Sequence, residues 1–317
     1  MKLFEKVTNL KGGKDIYLLG LKVFSYQRKK YKKLSEGTAR SILQKQFKKT
    51  LGYQLNLDNP QTFNEKIQWL KLYYRNPLMT KCADKIGVRE YVSEILGENY
   101  LIPLIGIYET PDDIDFDSLP NKFVLKVNWG SGQNIICTDK SSFDIESAKR
   151  SLSEWMKPHN NHYYHSFEWA YKDIVPKILV EEFIDGVDDV IDYKFFCYDG
   201  QPKNMFLVQN RALGKDKMTL NFFDEEFKPL PFERLYKAST LPIEKPSMWE
   251  EMIDTARLLS KPFAFVRVDF YMIDNQIKVG ELTFYPGNGM EPFSPVEWDM
   301  IMGSFISLPK PTPWEED

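Results

Sequence analysis

Cysteine is scarce in this chain of 317 residues. Cys82, Cys137 and Cys197 lie far apart, are odd in number and include no Cys-x-x-Cys pair. That argues against a disulfide framework and for a reducing, cytoplasmic setting. Histidine is equally rare, since His159, His162 and His165 are the whole supply. No cysteine sits near a histidine in sequence, and no Gly-x-Ser-x-Gly elbow or Ser/His/Asp order is present. Covalent nucleophile catalysis therefore has no support. Long apolar runs are missing too. Ile16–Leu21, extended through Lys22 to Phe24, falls far short of the ~18 residues that span a bilayer. It is followed by Arg28-Lys29-Lys30 and lacks a small-residue cleavage site, so it does not read as a secretory signal. Net charge is small, at −3 from 42 basic and 45 acidic residues, which speaks against nucleic acid as a partner of the whole molecule.

What is present is a chain able to bury a core, with 43% hydrophobic and 15% aromatic residues. Its length is about twice a ~150-residue domain, so one large mixed domain or two to three coupled subdomains are expected. Charge is unevenly spread: residues 1–50 carry fourteen Lys/Arg against three Asp/Glu, a net +11. Within residues 1–35, Ile16, Tyr17, Leu18, Leu19, Leu21, Val23 and Phe24 are interleaved with lysines. That mixture predicts a basic helix in peripheral membrane contact, or a solvated or packed helix of the same composition.

The remainder reads as helices followed by strands. Helices are expected at Thr38–Leu51, at Asn64–Tyr74 behind the capping pattern Thr62…Glu65, and at Lys85–Leu96 ending at Gly97. Strands are expected at Ile102–Tyr108, Phe123–Val127, Asn134–Cys137, Lys177–Ile184, Ile191–Tyr198, Pro202–Gln209, Met218–Phe223, Phe263–Ile273 and Gln276–Phe284. Asp199-Gly200 and Asp274-Asn275 mark hairpin turns. Further helices fit Ile145–Met156, Met248–Leu259 and Trp298–Ile306. Segregated helices and strands predict an α+β fold, divided into 1–35, a helical region 36–100, a smaller unit 101–184 and a larger one 185–317.

Three segments carry chemistry. In Phe123-Val-Leu-Lys126-Val-Asn-Trp-Gly130-Ser131-Gly132, a lysine ends a strand and a Gly/Ser loop follows. Such a loop can turn backbone N–H groups toward phosphate, although a plain hairpin with one snorkelling lysine has the same pattern. It is not a Walker loop, because no Gly-Lys-Ser/Thr opens a helix. In Val266-Arg267-Val-Asp269 and Gly280-Glu281-Leu-Thr283, two-residue alternation puts Arg267 with Asp269 and Glu281 with Thr283 on common faces of neighbouring strands. Hard oxygen ligands without His or Cys suit Mg²⁺ beside a nucleotide phosphate, while a surface ion pair is the plainer alternative. In Val180-Glu181-Glu182-Phe183-Ile184-Asp185-Gly186, followed by Asp188, a strand ends in paired acids. It reads as a charged edge strand or as a hinge for a purine and its ribose. The histidines read as a polar lid or acceptor-contacting loop, an exposed loop, or a metal site, and Glu168, Trp169 and Tyr171 just after them read as substrate contacts or as packing.

The order of Asp84-Lys85, the Lys126 glycine loop, Glu181–Ile184, Arg267-x-Asp269 and Glu281-x-Thr283-x-x-Pro-Gly resembles the ATP-grasp superfamily over most of the chain. Thr62-Phe-Asn-Glu-Lys-Ile-Gln-Trp-Leu-Lys71, Ala83-Asp-Lys, Val88-Arg-Glu-Tyr-Val and Tyr100-Leu-Ile-Pro-Leu-Ile-Gly106 resemble its TupA-like branch, named for teichuronopeptide synthesis. The resemblance implies ATP and Mg²⁺ as cofactors. Lys85, Lys126 and the backbone of Gly130, Ser131 and Gly132 would hold phosphates; Glu181, Glu182, Phe183 and Ile184 would contact adenine, and Asp188 the ribose. Asp269, Glu281 and Thr283 would bind metal, Arg267 would steady the transferring phosphoryl, and Lys194 would face the phosphates or the acyl substrate. Two positions depart from the pattern: Thr283 replaces an expected Asn, and Trp129 an expected His. The implied activity is a carboxylate–amine ligase working through an acyl phosphate, with a sugar- or lipid-linked glycan among its expected partners. The rival is a sugar-nucleotide glycosyltransferase, for which Asp112-Asp113-Ile-Asp115 provides acids, but in a Pro-flanked loop with no Rossmann-like strand before it.

Overall fold

The computed structural model describes residues 35–184, 192–209 and 218–314, together with the backbone of three N-terminal strands. Those strands, β1 (Phe4–Thr8), β2 (Lys14–Leu18) and β3 (Leu21–Tyr26), form an antiparallel sheet in sequence order. The expected basic helix is thus corrected to strands. The physical reason is local: Val, Ile, Phe and Tyr recur in short runs punctuated by Gly12, Gly13 and Gly20, which disfavour helix. The membrane-interface reading rested on a helix and loses that support. No helix among the described residues is long and apolar enough to cross a membrane.

The helical region holds α1 (Glu36–Leu51), α2 (Phe63–Tyr73), α3 (Pro77–Ala83) and α4 (Gly87–Leu96). Gly52 closes α1 in the left-handed conformation, at φ 83°. The Thr62 hydroxyl accepts the Glu65 N–H at 3.1 Å, and the Glu65 carboxylate accepts the Thr62 N–H at 3.2 Å. Glu65 also accepts the N–H groups of Asn56 and Gln61 at 3.0 and 2.8 Å, so one buried carboxylate fixes the whole entry to α2. Thr62→Ala should cost about 1 kcal/mol in denaturant unfolding. An unchanged midpoint would mean that Glu65 alone holds the turn.

β4 (Leu104–Tyr108), β5 (Phe123–Val127), β6 (Asn134–Cys137) and, after α5 (Ile145–Trp155) and the short α6 (Tyr163–Ser166), β7 (Ile178–Glu182) form a four-stranded antiparallel sheet. Its order is β4-β7-β5-β6. A five-stranded antiparallel sheet follows, built from β8 (Asp192–Tyr198), β9 (Gln201–Gln209), β10 (Thr219–Asp224), β12 (Phe265–Ile273) and β13 (Gln276–Thr283) in the order β10-β9-β8-β12-β13. Both two-residue turns predicted from sequence take left-handed backbones, with φ 46° and 75° at Asp199-Gly200 and 49° and 56° at Asp274-Asn275. β11 (Glu233–Arg234) pairs with β14 (Phe293–Ser294), α7 (Trp249–Ser260) covers the large sheet, and α8 (Glu297–Ser304) packs on α2.

Alternation decides what each face of the large sheet does. Phe195 and Phe270 point to the α7 side, where Phe195 meets Trp249 at 5.2 Å between ring centroids. The opposite face starts apolar, with Phe196 and Phe265 edge-on to Phe63 of α2. Two residues further along each strand it becomes Lys194, Arg267 and Asp269. The core therefore ends where the charges begin.

Candidate active site

On the polar face, strand register brings Asp269 opposite both Glu281 and Lys194, and Arg267 opposite Thr283. The Arg267 guanidinium donates from Nε and Nη2 to the two Asp269 carboxylate oxygens, each at 2.6 Å. Nη2 also reaches Glu281 Oε1 at 2.9 Å and Thr283 Oγ1 at 3.1 Å, and the Thr283 hydroxyl lies 3.0 Å from Glu281 Oε1. Lys194 Nζ is paired with Asp269 and stands 3.4 Å from Asp192. Asp269 is 1% exposed. Burial pushes its carboxyl above the ordinary range, against the pull of Arg267 and Lys194. Glu281 behaves oppositely. Burial would raise it, but Lys85, Arg267, Lys194 and the Thr283 hydroxyl together hold it well below the usual carboxylate range. Its side chain is 39% exposed, so solvent weakens both the burial effect and the pull of these cations.

Facing cations come from the α3–α4 connection, from α4 and from β5 of the small sheet. Lys85 Nζ donates to the Gly130 carbonyl at 2.6 Å and stands 3.9 Å from Glu281, which ties the glycine loop to the acidic pair. Burial pushes Lys85 downward, opposed chiefly by Glu281. Lys126 and Arg89 grip the buried Glu181 carboxylate at 2.5 and 2.9 Å, and Arg89 also donates to the Ile102 carbonyl at 2.7 Å. Lys85, Arg89, Lys126 and Glu181 line one cleft together with the apolar Val88, Ile102 and Val279. Asn128 braces the loop from inside by donating to Asp84 Oδ1 at 3.0 Å and accepting the Lys177 N–H at 2.8 Å. Gly130 is buried, whereas Ser131 and Gly132 are exposed, and Gly132 needs its glycine for φ 68°.

The structure thus gathers Lys85, Lys126, Gly130, Glu181, Lys194, Arg267, Asp269, Glu281 and Thr283. Glu182 is exposed and gives its N–H to the Pro103 carbonyl at 3.0 Å, while Phe183 and Ile184 are half-buried. Asp188 lies outside the described residues. Trp129 turns inward, its indole N–H on the Trp155 carbonyl at 3.1 Å, so at this position the loop carries a packing pin. Arg89, one helical turn beyond Lys85, was not singled out as a site residue; that spacing was the available signal. The acids of the rival motif are occupied locally, Asp113 by Thr110 and Asp112 by Lys149.

Among the described residues, no group of three or more His, Cys, Asp or Glu side chains is placed to hold a metal. The histidines offer none: His159 pairs with Glu154, and His162 packs on Tyr171. Asp269, Glu281 and the Thr283 hydroxyl form a smaller set of hard oxygen donors. That set fits Mg²⁺ where phosphate oxygens complete the shell, since Mg²⁺ is commonly held by one or two carboxylates plus phosphate.

A family model for TupA-like ATPgrasp matches residues 65–307. No curated protein matches the chain. Among solved structures, it is similar to a D-alanine–D-alanine ligase from Bacillus anthracis complexed with ATP, at 17% identity and TM-score 0.39, over 64% of this chain and 55% of that one. The Helicobacter pylori D-alanine–D-alanine ligase gives 16% identity and TM-score 0.40, over 71% and 63%. D-cycloserine synthetase DcsG gives 14% and 0.37, over 73% and 72%. The chain thus spans 55% to 63% of the length of the two alanine ligases. With its α+β ATP-grasp fold and three quarters of its residues matched, the chain belongs to the TupA-like ATPgrasp family.

Proposed function

We propose that the chain is an ATP- and Mg²⁺-dependent ligase that joins a carboxylate to an amine through an acyl phosphate. The observation that carries this reading is that Lys85, which lines one cleft with Lys126, stands 3.9 Å from Glu281 of the Arg267, Asp269 and Thr283 cluster. Lys85, Lys126 and the Gly130–Gly132 backbone would bind the phosphates. The Glu181–Ile184 strand end would meet adenine through backbone groups, because the Glu181 carboxylate is already taken by Arg89 and Lys126. Asp188 remains a proposal for the ribose hydroxyls. Mg²⁺ held by Asp269, Glu281 and Thr283 would supply neutralisation of the phosphoryl charge. Arg267 and Lys194 would then turn from Asp269 toward the transferring oxygens and orient the acyl group. The family's name suggests a uronic-acid or amino-acid carboxyl in a surface polysaccharide as substrate.

The test is incubation with ATP, Mg²⁺ and pairs of carboxylates and amines, reading ADP and amide together. Carboxylate-dependent ADP release supports the reading. Sugar transfer from a UDP-sugar, with no ADP formed, would replace it with the glycosyltransferase.

A further inference from the structure

Asn128 follows β5 directly and is fully buried, at 0% exposure. Its backbone and side chain bind separate stretches of chain. The Asn128 carbonyl accepts the Lys85 N–H at 3.0 Å, and the Asn128 N–H donates to the Lys177 carbonyl at 3.0 Å. Oδ1 accepts the Lys177 N–H at 2.8 Å. Nδ2 donates to Asp84 Oδ1 at 3.0 Å and to the Val175 carbonyl at 2.9 Å, so both amide hydrogens are placed. Such a buried amide enforces one geometry, because any shift leaves a donor or acceptor unpaired.

The stretches it joins are those that carry the cations of the cleft. Residues 84–86 connect α3 to α4. There Asp84 Oδ1 also accepts the Ile86 N–H at 2.8 Å, and the Asp84 carbonyl takes the Val88 N–H at 2.8 Å as α4 opens. The connection is tightly packed, since a Cβ at Gly87 would stand 2.4 Å from the Lys81 carbonyl oxygen. Lys85 is thus held at its backbone by Asn128, while its ammonium returns to the Gly130 carbonyl at 2.6 Å, two residues past Asn128. On the other side, residues 175–177 lead into β7 and its Glu181, which Lys126 and Arg89 grip. Lys126 itself stands two residues before Asn128 on β5. Lys85 and Lys126 bring like charges into one cleft, an arrangement that the folded chain has to enforce.

We propose that Asn128 is a positioning residue of the phosphate site, acting through Lys85: it sets the Lys85 ammonium against Lys126 and the glycine loop before a nucleotide arrives. The proposal rests on the ligase reading, in which both lysines bind phosphates. Fixing Lys85 in advance adds to nucleotide affinity, because the cost of ordering that side chain is met in folding and not on binding.

A double-mutant cycle separates positioning from plain support of the sheet. The full chain would be titrated by calorimetry with the non-hydrolysed analogue AMP-PNP and Mg²⁺. Asn128→Asp sets a carboxylate oxygen against Asp84 and the Val175 carbonyl, and should weaken binding about tenfold. Lys85→Met should weaken it about tenfold or more. In the Lys85→Met background, Asn128→Asp should cost less than about a further twofold, because the cation it positions is gone. A residue that only supports the sheet would make the two losses multiply, and multiplied losses overturn the inference. Unchanged affinity in Asn128→Asp overturns it too. Asp84→Ala cuts the same link from the other side, and takes the place of Asn128→Asp in the cycle if that variant does not fold. A wild type that binds no AMP-PNP sinks the nucleotide reading, and this inference with it; a wild type that binds it with multiplied losses sinks the inference alone.

Discussion

Asp269→Asn is expected to lower kcat by roughly 10³-fold or more, because it removes one of two carboxylates on which the proposed metal site and Arg267 both depend. The substitution should also destabilise the protein. Asp269 is the shared anion of Arg267 and Lys194, both largely buried, and breaking such a pair from one side typically costs about 3–5 kcal/mol. The two effects separate if turnover is measured well below the variant's unfolding transition. A folded Asp269→Asn protein with wild-type rates would place the metal site elsewhere. Thr283→Asn should be tolerated by comparison, since the amide oxygen can still accept from Arg267, as the hydroxyl does at 3.1 Å, and the amide N–H can replace the hydroxyl donated to Glu281 at 3.0 Å.

Gly303→Ala should produce the largest loss of stability from a single methyl group. Helix propensity alone favours the change by about 1 kcal/mol. Packing reverses the sign. A Cβ at Gly303 of α8 would stand 2.2 Å from the Gln61 carbonyl oxygen and 2.6 Å from the Phe63 nitrogen. These are backbone atoms at the capped entry to α2, and they cannot swing aside as a side chain would. Overpacking of this kind costs about 3 kcal/mol or more. It would also pull Asp299 away from the Asn64 N–H and the Tyr53 hydroxyl, which it accepts at 2.9 and 3.1 Å. Urea unfolding decides the matter, and a midpoint at or above wild type would show that α8 shifts without cost.

Much of the site was legible because strand alternation is rigid arithmetic. Alternation puts Arg267 with Asp269 and Glu281 with Thr283. The two-residue turn alone would set Asp269 against Gly280, however; the register shift between Asp269 and Phe270, which left no mark in the sequence, brings all four onto one face. The hairpin turns and the Thr62 cap were readable for the same reason, since each depends on residues two or three apart. Contacts across long separations left no such trace. Lys71 reads as one lysine in a helical pattern, and its partner Asn288 lies 217 positions away. Trp129 could be flagged as unusual but not assigned to packing, because its partner carbonyl belongs to α5. The N-terminal runs mix lysine with β-branched and aromatic residues at spacings that suit either periodicity. Composition alone favoured the helix there, and the three paired strands show that local β preference prevailed.

The placement of α2 bears on how this architecture can be handled as a module. The family match starts at residue 65, inside that helix. Yet the Thr62 cap and the seat for Gly303 on Gln61–Phe63 lie upstream of it, as does Asn64, which holds both Glu291 and Asp299. The smallest autonomous unit is therefore longer than the matched stretch. A swap of substrate-facing loops between relatives would have to carry its own α2 stripe, since Gln68 and Lys71 form the scaffold into which the Pro286–Gly289 turn is moulded.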